Sequence, residues 1–130
     1  MGKNSQSRKM TPSRENYLKA ILELSFEKGN RSIDIANALG VSKASVSNMM
    51  TVLVDEGYVI KEKHGAITLT ESGRCVAADI KRRYEMLKEF LHNILGVKAA
   101  IAEEDACRME HLISSETAEC ISRQLERLSE

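Results

Sequence analysis

Apolar residues first recur with helical spacing in three short segments. Leu18, Ile21, Leu22 and Ser25 fall at i, i+3, i+4 and i+7, behind Thr11 as a cap and Pro12 at the first helical position. The spacing predicts a helix to about Lys28, stopped by Gly29-Asn30. Ser32 is placed to cap a second helix, Ile33 to Leu39, which buries Ile35, Ala36 and Leu39 and ends at Gly40. Ser42 is placed to cap a third, whose stripe is Val46, Met49, Met50, Leu53 and Val54. Two short helices joined by a tight glycine turn form a helix-turn-helix.

After Gly57 the period changes. Tyr58 to Lys63 and Ala66 to Thr70 are β-type segments around His64-Gly65, which reads as a hairpin and completes a winged helix. Thr70 then caps a long helix with Val76, Ile80, Leu87, Phe90, Leu91 and Ile94 on one side, ended by Gly96. Helices over Ala100 to Ile113 and from the Ser114-Ser115 cap to the end follow, the last with Ile121, Leu125 and Leu128 inward. The expected fold is mainly α, with an N-terminal winged helix-turn-helix over 1–72 and a C-terminal helical dimerisation domain over 73–130. A chain of 130 residues has room for one ordinary domain or for two small modules that share a core, so its stability should lean on a partner subunit.

Composition narrows the class. Hydrophobic residues are 42% and charged residues 29%, a globular balance. No segment approaches the ~20 apolar residues of a membrane span, and the polar start lacks a signal-peptide core, so a cytoplasmic protein without a membrane partner is expected. Cys75, Cys107 and Cys120 are odd in number and widely spaced, reading as reduced thiols rather than a disulfide framework. Net charge is zero, but residues 1–70 carry +3 and residues 71–130 carry −3, with Lys3, Arg8, Lys9, Arg14 and Lys19 near the start against only Glu15. That basic arm suits either phosphates or solvent.

Two constellations carry chemistry. Opposite its core stripe the third helix presents Lys43, Ala44, Ser45, Ser47, Asn48 and Thr51, short side chains that allow close approach to base edges. Ser32 before it, and Lys61, Lys63 and His64 on the hairpin, are placed to reach flanking DNA; the alternative is a solvated helix face. The second constellation is Asp105-Ala106-Cys107-Arg108-Met109-Glu110-His111, where Cys107, Glu110 and His111 stand at i, i+3 and i+4 on a helix. A thiolate, a carboxylate and an imidazole on one face are three transition-metal donors. The alternative is a small core cysteine beside surface residues. His64 and His92 stand alone.

The chain resembles the iron- and manganese-dependent repressors of the diphtheria toxin repressor family, in the short form without an SH3-like domain. The likeness rests on Thr11-Pro12-Ser13 with Glu15 and Tyr17-Leu18, on Asp34-Ile35-Ala36 with Ala38-Leu39-Gly40-Val41, on Leu69-Thr70 with Gly73, and above all on the segment Asp105 to His111. It implies a metal site of Asn16 from the first helix with Cys107, Glu110 and His111. Asn16 departs from the Met of iron-responsive and the Asp of manganese-responsive relatives, and is a neutral, weaker donor. The family's second site falls on Tyr84, Lys88 and Glu103, with Lys19 at a further acidic position, so two lysines disfavour a second cation. One ion per subunit is expected, with Lys88 and Glu103 pairing where relatives hold the ancillary metal. Asn48 and Val52 stand where relatives carry lysines.

The resemblance implies a homodimeric repressor of metal-uptake genes that binds an inverted-repeat operator in double-stranded DNA, with Fe(II) as corepressor and Mn(II) as the alternative. A metal-independent winged-helix regulator sensing another ligand is the rival reading. No enzyme is expected, because no base is placed beside the ligand triplet.

Overall fold

The computed structural model describes residues 10–26 and 30–129. They fall into two compact units, Met1–Ala78 and Asp79–Glu130. In the first, α1 (Pro12–Leu24), α2 (Ser32–Leu39) and α3 (Lys43–Asp55) precede strands β1 (Val59–Lys61) and β2 (Ile67–Leu69). Thr11 accepts the Arg14 N–H at 3.2 Å and Ser42 accepts the Ser45 N–H at 3.0 Å, so both expected caps form. α1 is shorter than its period predicts. The Ser25 hydroxyl donates to the Leu22 carbonyl at 2.6 Å, a side-chain competitor for the helix ladder. The predicted helix end at about Lys28 and Gly29 of the Gly29-Asn30 stop, with Lys3, Arg8 and Lys9 of the arm, lie outside the described residues.

α2 is capped differently from expectation. It starts at Ser32 rather than after it, and the Asp34 carboxylate reaches back to accept the Arg31 backbone N–H at 3.1 Å. Gly40 ends the helix at φ 68°, and the Val41 N–H bonds the Ala36 carbonyl at 3.1 Å.

Leu18, Ile21, Ile35, Val46, Met50 and Leu53 are fully buried against Val59, Ile67 and Leu69 of the hairpin. Each such side chain contributes about 1.5–3 kcal/mol relative to exposure. Val54 is 43% exposed despite lying in the predicted stripe. Eight positions after Val46 it has drifted roughly 80° around the helix.

The strands pair antiparallel in the register Val59↔Leu69, Ile60↔Thr68, Lys61↔Ile67. The connection is longer than the expected two-residue turn. Glu62 N–H bonds Ala66 O at 2.8 Å and Gly65 N–H bonds Glu62 O at 2.9 Å, leaving Lys63, His64 and Gly65 as a three-residue loop with Gly65 at φ 89°. Ile67 N–H also donates to the Asn30 carbonyl at 2.8 Å, tying the wing to the start of α2.

Helix α4 (Glu71–Glu89) begins in the first unit and continues in the second. Thr70 accepts the Gly73 N–H at 3.1 Å and donates its hydroxyl to the Gly57 carbonyl at 2.7 Å. Gly73 packs so closely on the residue before β1 that a Cβ there would lie 2.0 Å from the Tyr58 carbonyl oxygen.

In the second unit α4 widens into a π turn, Phe90–Ile94, and ends at Gly96 with φ 77°. α5 (Ala99–Met109) and α6 (Ser115–Leu128) follow, the latter capped by Ser114 as predicted. The buried centre is small: Leu87, Leu91, Ala102 and Ala106, bordered by Tyr84, Met86, Val97, Met109, Ile113 and Ile121. α6 has no buried residue, and Leu128, expected inward, is 54% exposed. Leu95, Ile101 and Leu112 are exposed as well.

Candidate nucleic-acid and metal sites

α3 turns Lys43, Ala44, Ser45, Ser47, Asn48 and Thr51 to solvent, opposite the buried Val46, Met50 and Leu53. Two hydroxyls are already engaged: Thr51 donates to the Ser47 carbonyl at 3.2 Å, and Ser42 donates to Ser45 Oγ at 3.0 Å. Asn48 is the long amide of the set, with donor and acceptor suited to a base edge. Beside it an open groove of about 440 Å³ is lined by Ser13, Tyr17, Val41, Ser45, Asn48, Met49 and Val52. Burial raises the Tyr17 phenol above its ordinary value. Lys63 stands exposed in the wing loop, and Ser32 is half-buried at the first turn of α2.

Several contacts had no signal in the pattern. Arg14 and Glu56, largely buried, pair at 2.9 Å and tie the start of α1 to the end of α3. The Arg31 guanidinium donates to the His64 carbonyl in the wing loop.

In the second unit α5 stops at Met109, short of the predicted Ile113, so Glu110 is its C-cap and His111 lies in the turn beyond. Glu110 is nonetheless fully buried, and its Oε2 meets His111 Nε2 at 3.1 Å, with that imidazole only 6% exposed. Cys107 is exposed one turn earlier. Among the described residues no three His, Cys, Asp or Glu side chains gather within reach of one ion. Asn16 is half-buried on α1, in the first unit.

Arg83 holds the turn that carries Glu110 and His111. Its guanidinium donates to the carbonyls of Ile113 at 3.0 Å and Glu110 at 3.4 Å and to Ser115 Oγ at 3.4 Å, and pairs with Asp79 at 3.6 Å. It satisfies the carbonyls of the C-cap Glu110 and of Ile113 in the turn that follows α5. The expected Lys88–Glu103 pair does not form. Lys88 meets Glu85 at 3.6 Å, one turn away on its own helix, and lies 5.3 Å from the centre of the Tyr84 ring. Glu103 shares a cleft of about 370 Å³ with Lys88, Glu85, Glu89 and His92.

A winged helix with an exposed short-side-chain recognition helix defines a DNA-binding protein, here followed by a helical unit with a buried carboxylate–imidazole pair. Residues 9–67 match the family described as iron dependent repressor, N-terminal DNA binding domain, and residues 70–130 match iron dependent repressor, metal binding and dimerisation domain. The chain belongs to the iron-dependent repressor family of DNA-binding transcriptional regulators. It is 35% identical over 124 residues to an uncharacterized HTH-type transcriptional regulator of Methanocaldococcus jannaschii, covering 93% of this chain and 98% of that protein. It is 37% identical over 105 residues to the HTH-type transcriptional regulator MntR of Bacillus velezensis, covering 80% of this chain and 73% of that one. The structure of the manganese regulator SloR matches at 34% identity with a TM-score of 0.79, over 90% of this chain and 55% of SloR. IdeR of T. acidophilum matches at 26% identity with a TM-score of 0.73, over 89% of this chain and 54% of its own. The chain thus spans about half the length of these two solved relatives. No helix among the described residues is long and apolar enough to cross a membrane.

Proposed function

We propose that the chain is a metal-activated repressor of metal-uptake genes that binds an inverted-repeat operator as a homodimer, with one divalent ion per subunit held by Asn16, Cys107, Glu110 and His111. The observation that carries the reading is the buried Glu110–His111 pair, two hard-to-bury donors kept together inside the segment matched to the metal-binding domain. A buried carboxylate and imidazole with 3.1 Å between their donor atoms fit a cation that would take both. Cys107, one turn earlier, supplies the third donor from the same segment, and Asn16 is the ligand that the family resemblance adds.

The bound ion supplies positive charge that four donors share. Asn16 lies in the unit that holds α3, so a ligand set that includes it makes DNA reading depend on metal. Glu110 and His111 are held by the Arg83-braced turn, which limits their search for the ion. The solved relatives include a manganese regulator and zinc- and cadmium-bound forms of ScaR. A thiolate from Cys107 favours Fe(II) over Mn(II), and the cellular scarcity of zinc and copper leaves Fe(II) first and Mn(II) second. Dimerisation is supported by the thin core of the second unit and its exposed apolar residues. A metal-independent regulator is the second reading, favoured by the neutral Asn16 donor and by the absence of a gathered three-ligand cluster among the described residues.

Elemental analysis of anaerobically purified protein, paired with operator binding across Fe(II), Mn(II), Co(II) and Zn(II), tests the proposal. Metal-dependent binding that Cys107→Ala weakens, with Cys107→Asp moving preference toward Mn(II), is the expected result. Operator binding unchanged by a chelator would establish the metal-independent reading.

A further inference from the structure

We propose that Arg31 is a DNA-backbone contact that joins the wing to the helix-turn-helix, holding the wing loop with one N–H and a phosphate with the others. The inference rests on the DNA-binding reading and adds a residue outside the recognition helix and wing side chains already assigned. Arg31 is exposed at the residue preceding α2, and its guanidinium donates from Nη1 to the His64 carbonyl. A Cβ at Gly65 would lie 3.0 Å from that Nη1, so the loop is packed on the guanidinium rather than passing near it. The neighbouring Asn30 carbonyl takes the Ile67 N–H at 2.8 Å, a second tie between the same two segments.

A guanidinium carries five N–H donors in a planar fork. Among the described residues one of these donors is used, on the His64 carbonyl, and no carboxylate pairs with the charge. Asp34, the nearest acid in sequence, gives its oxygen to the Arg31 backbone N–H instead. Lys61 and Lys63 are exposed on the wing, with the acid Glu62 between them. In helix-turn-helix docking the first helix of the pair crosses the sugar–phosphate backbone while the second enters the groove. Arg31 sits at the N-terminus of that first helix, where a forked cation matches phosphate geometry. Its bond to His64 fixes the fork in advance and sets the pose of Lys63 with it.

The test is binding of the metal-loaded full-length protein, with Mn(II) as the air-stable ion, to a mixed-sequence DNA duplex at several salt concentrations. Arg31→Gln keeps an amide donor for the His64 carbonyl and loses the charge; Arg31→Lys keeps the charge. Each lost phosphate contact flattens the log–log salt slope by about 0.9, so a dimer of Arg31→Gln should flatten by about 1.8. Between 50 and 200 mM salt the wild type should then lose about 12-fold more affinity than the variant. Arg31→Lys should keep the wild-type slope, and hydrogen exchange at Gly65 and Ile67 should show the wing intact in Arg31→Gln. A wild-type slope in Arg31→Gln overturns the proposal, as does weaker binding with an unchanged slope and faster wing exchange, which marks a purely structural residue. A wild-type protein that binds no DNA overturns this proposal together with the functional reading beneath it.

Discussion

Gly73→Ala sets two opposed effects against each other at one atom. Gly73 lies in the first turn of α4 without a positive φ, so helix propensity alone favours alanine by about 0.8–1 kcal/mol. The new methyl would sit 2.0 Å from the Tyr58 carbonyl oxygen, a separation that no relaxed contact shows. That oxygen cannot swing aside cheaply, because it accepts the Thr70 N–H at 3.0 Å. Moving α4 away instead loosens the bonds from Gly73 N–H to Thr70 and from Thr70 to the Gly57 carbonyl. Overpacking costs about 1–3 kcal/mol and each loosened bond about 1 kcal/mol, so the clash wins and the net loss is on the order of 2–4 kcal/mol. For a unit of this size that lowers Tm by on the order of 10–20 °C. Circular-dichroism melts at one fixed protein concentration measure it, with Ser72→Ala, exposed on the same turn, as the near-silent control. A Gly73→Ala protein as stable as wild type would show that propensity outweighs the contact and would refute the close packing of α4 on Tyr58.

Two further outcomes follow from the sites. Arg83→Met, which keeps the stem but removes the donors to Ile113, Glu110 and Ser115, should cost about 2 kcal/mol in urea unfolding, since only the 3.0 Å bond is near ideal length. It should also weaken metal binding in a calorimetric titration; unchanged affinity would show that the turn needs no brace. Asn48→Ala should reduce the ratio of specific to non-specific DNA affinity more than Lys63→Ala, whose effect should lie in the salt slope. Equal loss on both kinds of DNA for Asn48→Ala would remove it from base reading.

What the sequence made legible was whatever depends on neighbours along the chain. The Thr11, Ser42, Thr70 and Ser114 caps, the Val46–Met50–Leu53 face and the glycines at 40 and 96 each follow from a local rule, and each is present. Errors came where a long-range partner decided the outcome. Periodicity predicts α5 to Ile113, but the helix ends at Met109, and the turn beyond it is held by Arg83, which lies 30 residues before Ile113 and bonds the Glu110 and Ile113 carbonyls. The α2 cap passed from Ser32 to Asp34 because the Asp34 carboxylate reaches back to the Arg31 N–H, making Ser32 the first helical residue. At the candidate metal site the spacing puts Cys107, Glu110 and His111 on one face; Glu110 and His111 form a buried pair and Cys107 is exposed one turn earlier. Asn16 had no signal of its own and entered only through resemblance.

Among its described residues the second unit buries five apolar side chains, Ile80, Leu87, Leu91, Ala102 and Ala106, two of them alanines, and leaves Leu95, Ile101, Leu112 and Leu128 exposed. At about 1.5–3 kcal/mol per large side chain, such a core leaves little margin over the chain entropy lost on folding. Polar cross-links do part of the positioning that burial does elsewhere: Arg83 fixes the end of α5 as Arg14 fixes the end of α3. A partner subunit over the exposed apolar residues would supply the missing burial, in line with the dimerisation domain to which residues 70–130 belong. That stabilisation does not involve Glu110 or His111, which are already buried inside the subunit. Under the proposed function, metal then acts on a dimer already assembled by apolar contact, so sedimentation of the metal-free protein at micromolar concentration should still show a dimer, and a monomer that dimerises only with metal would refute this.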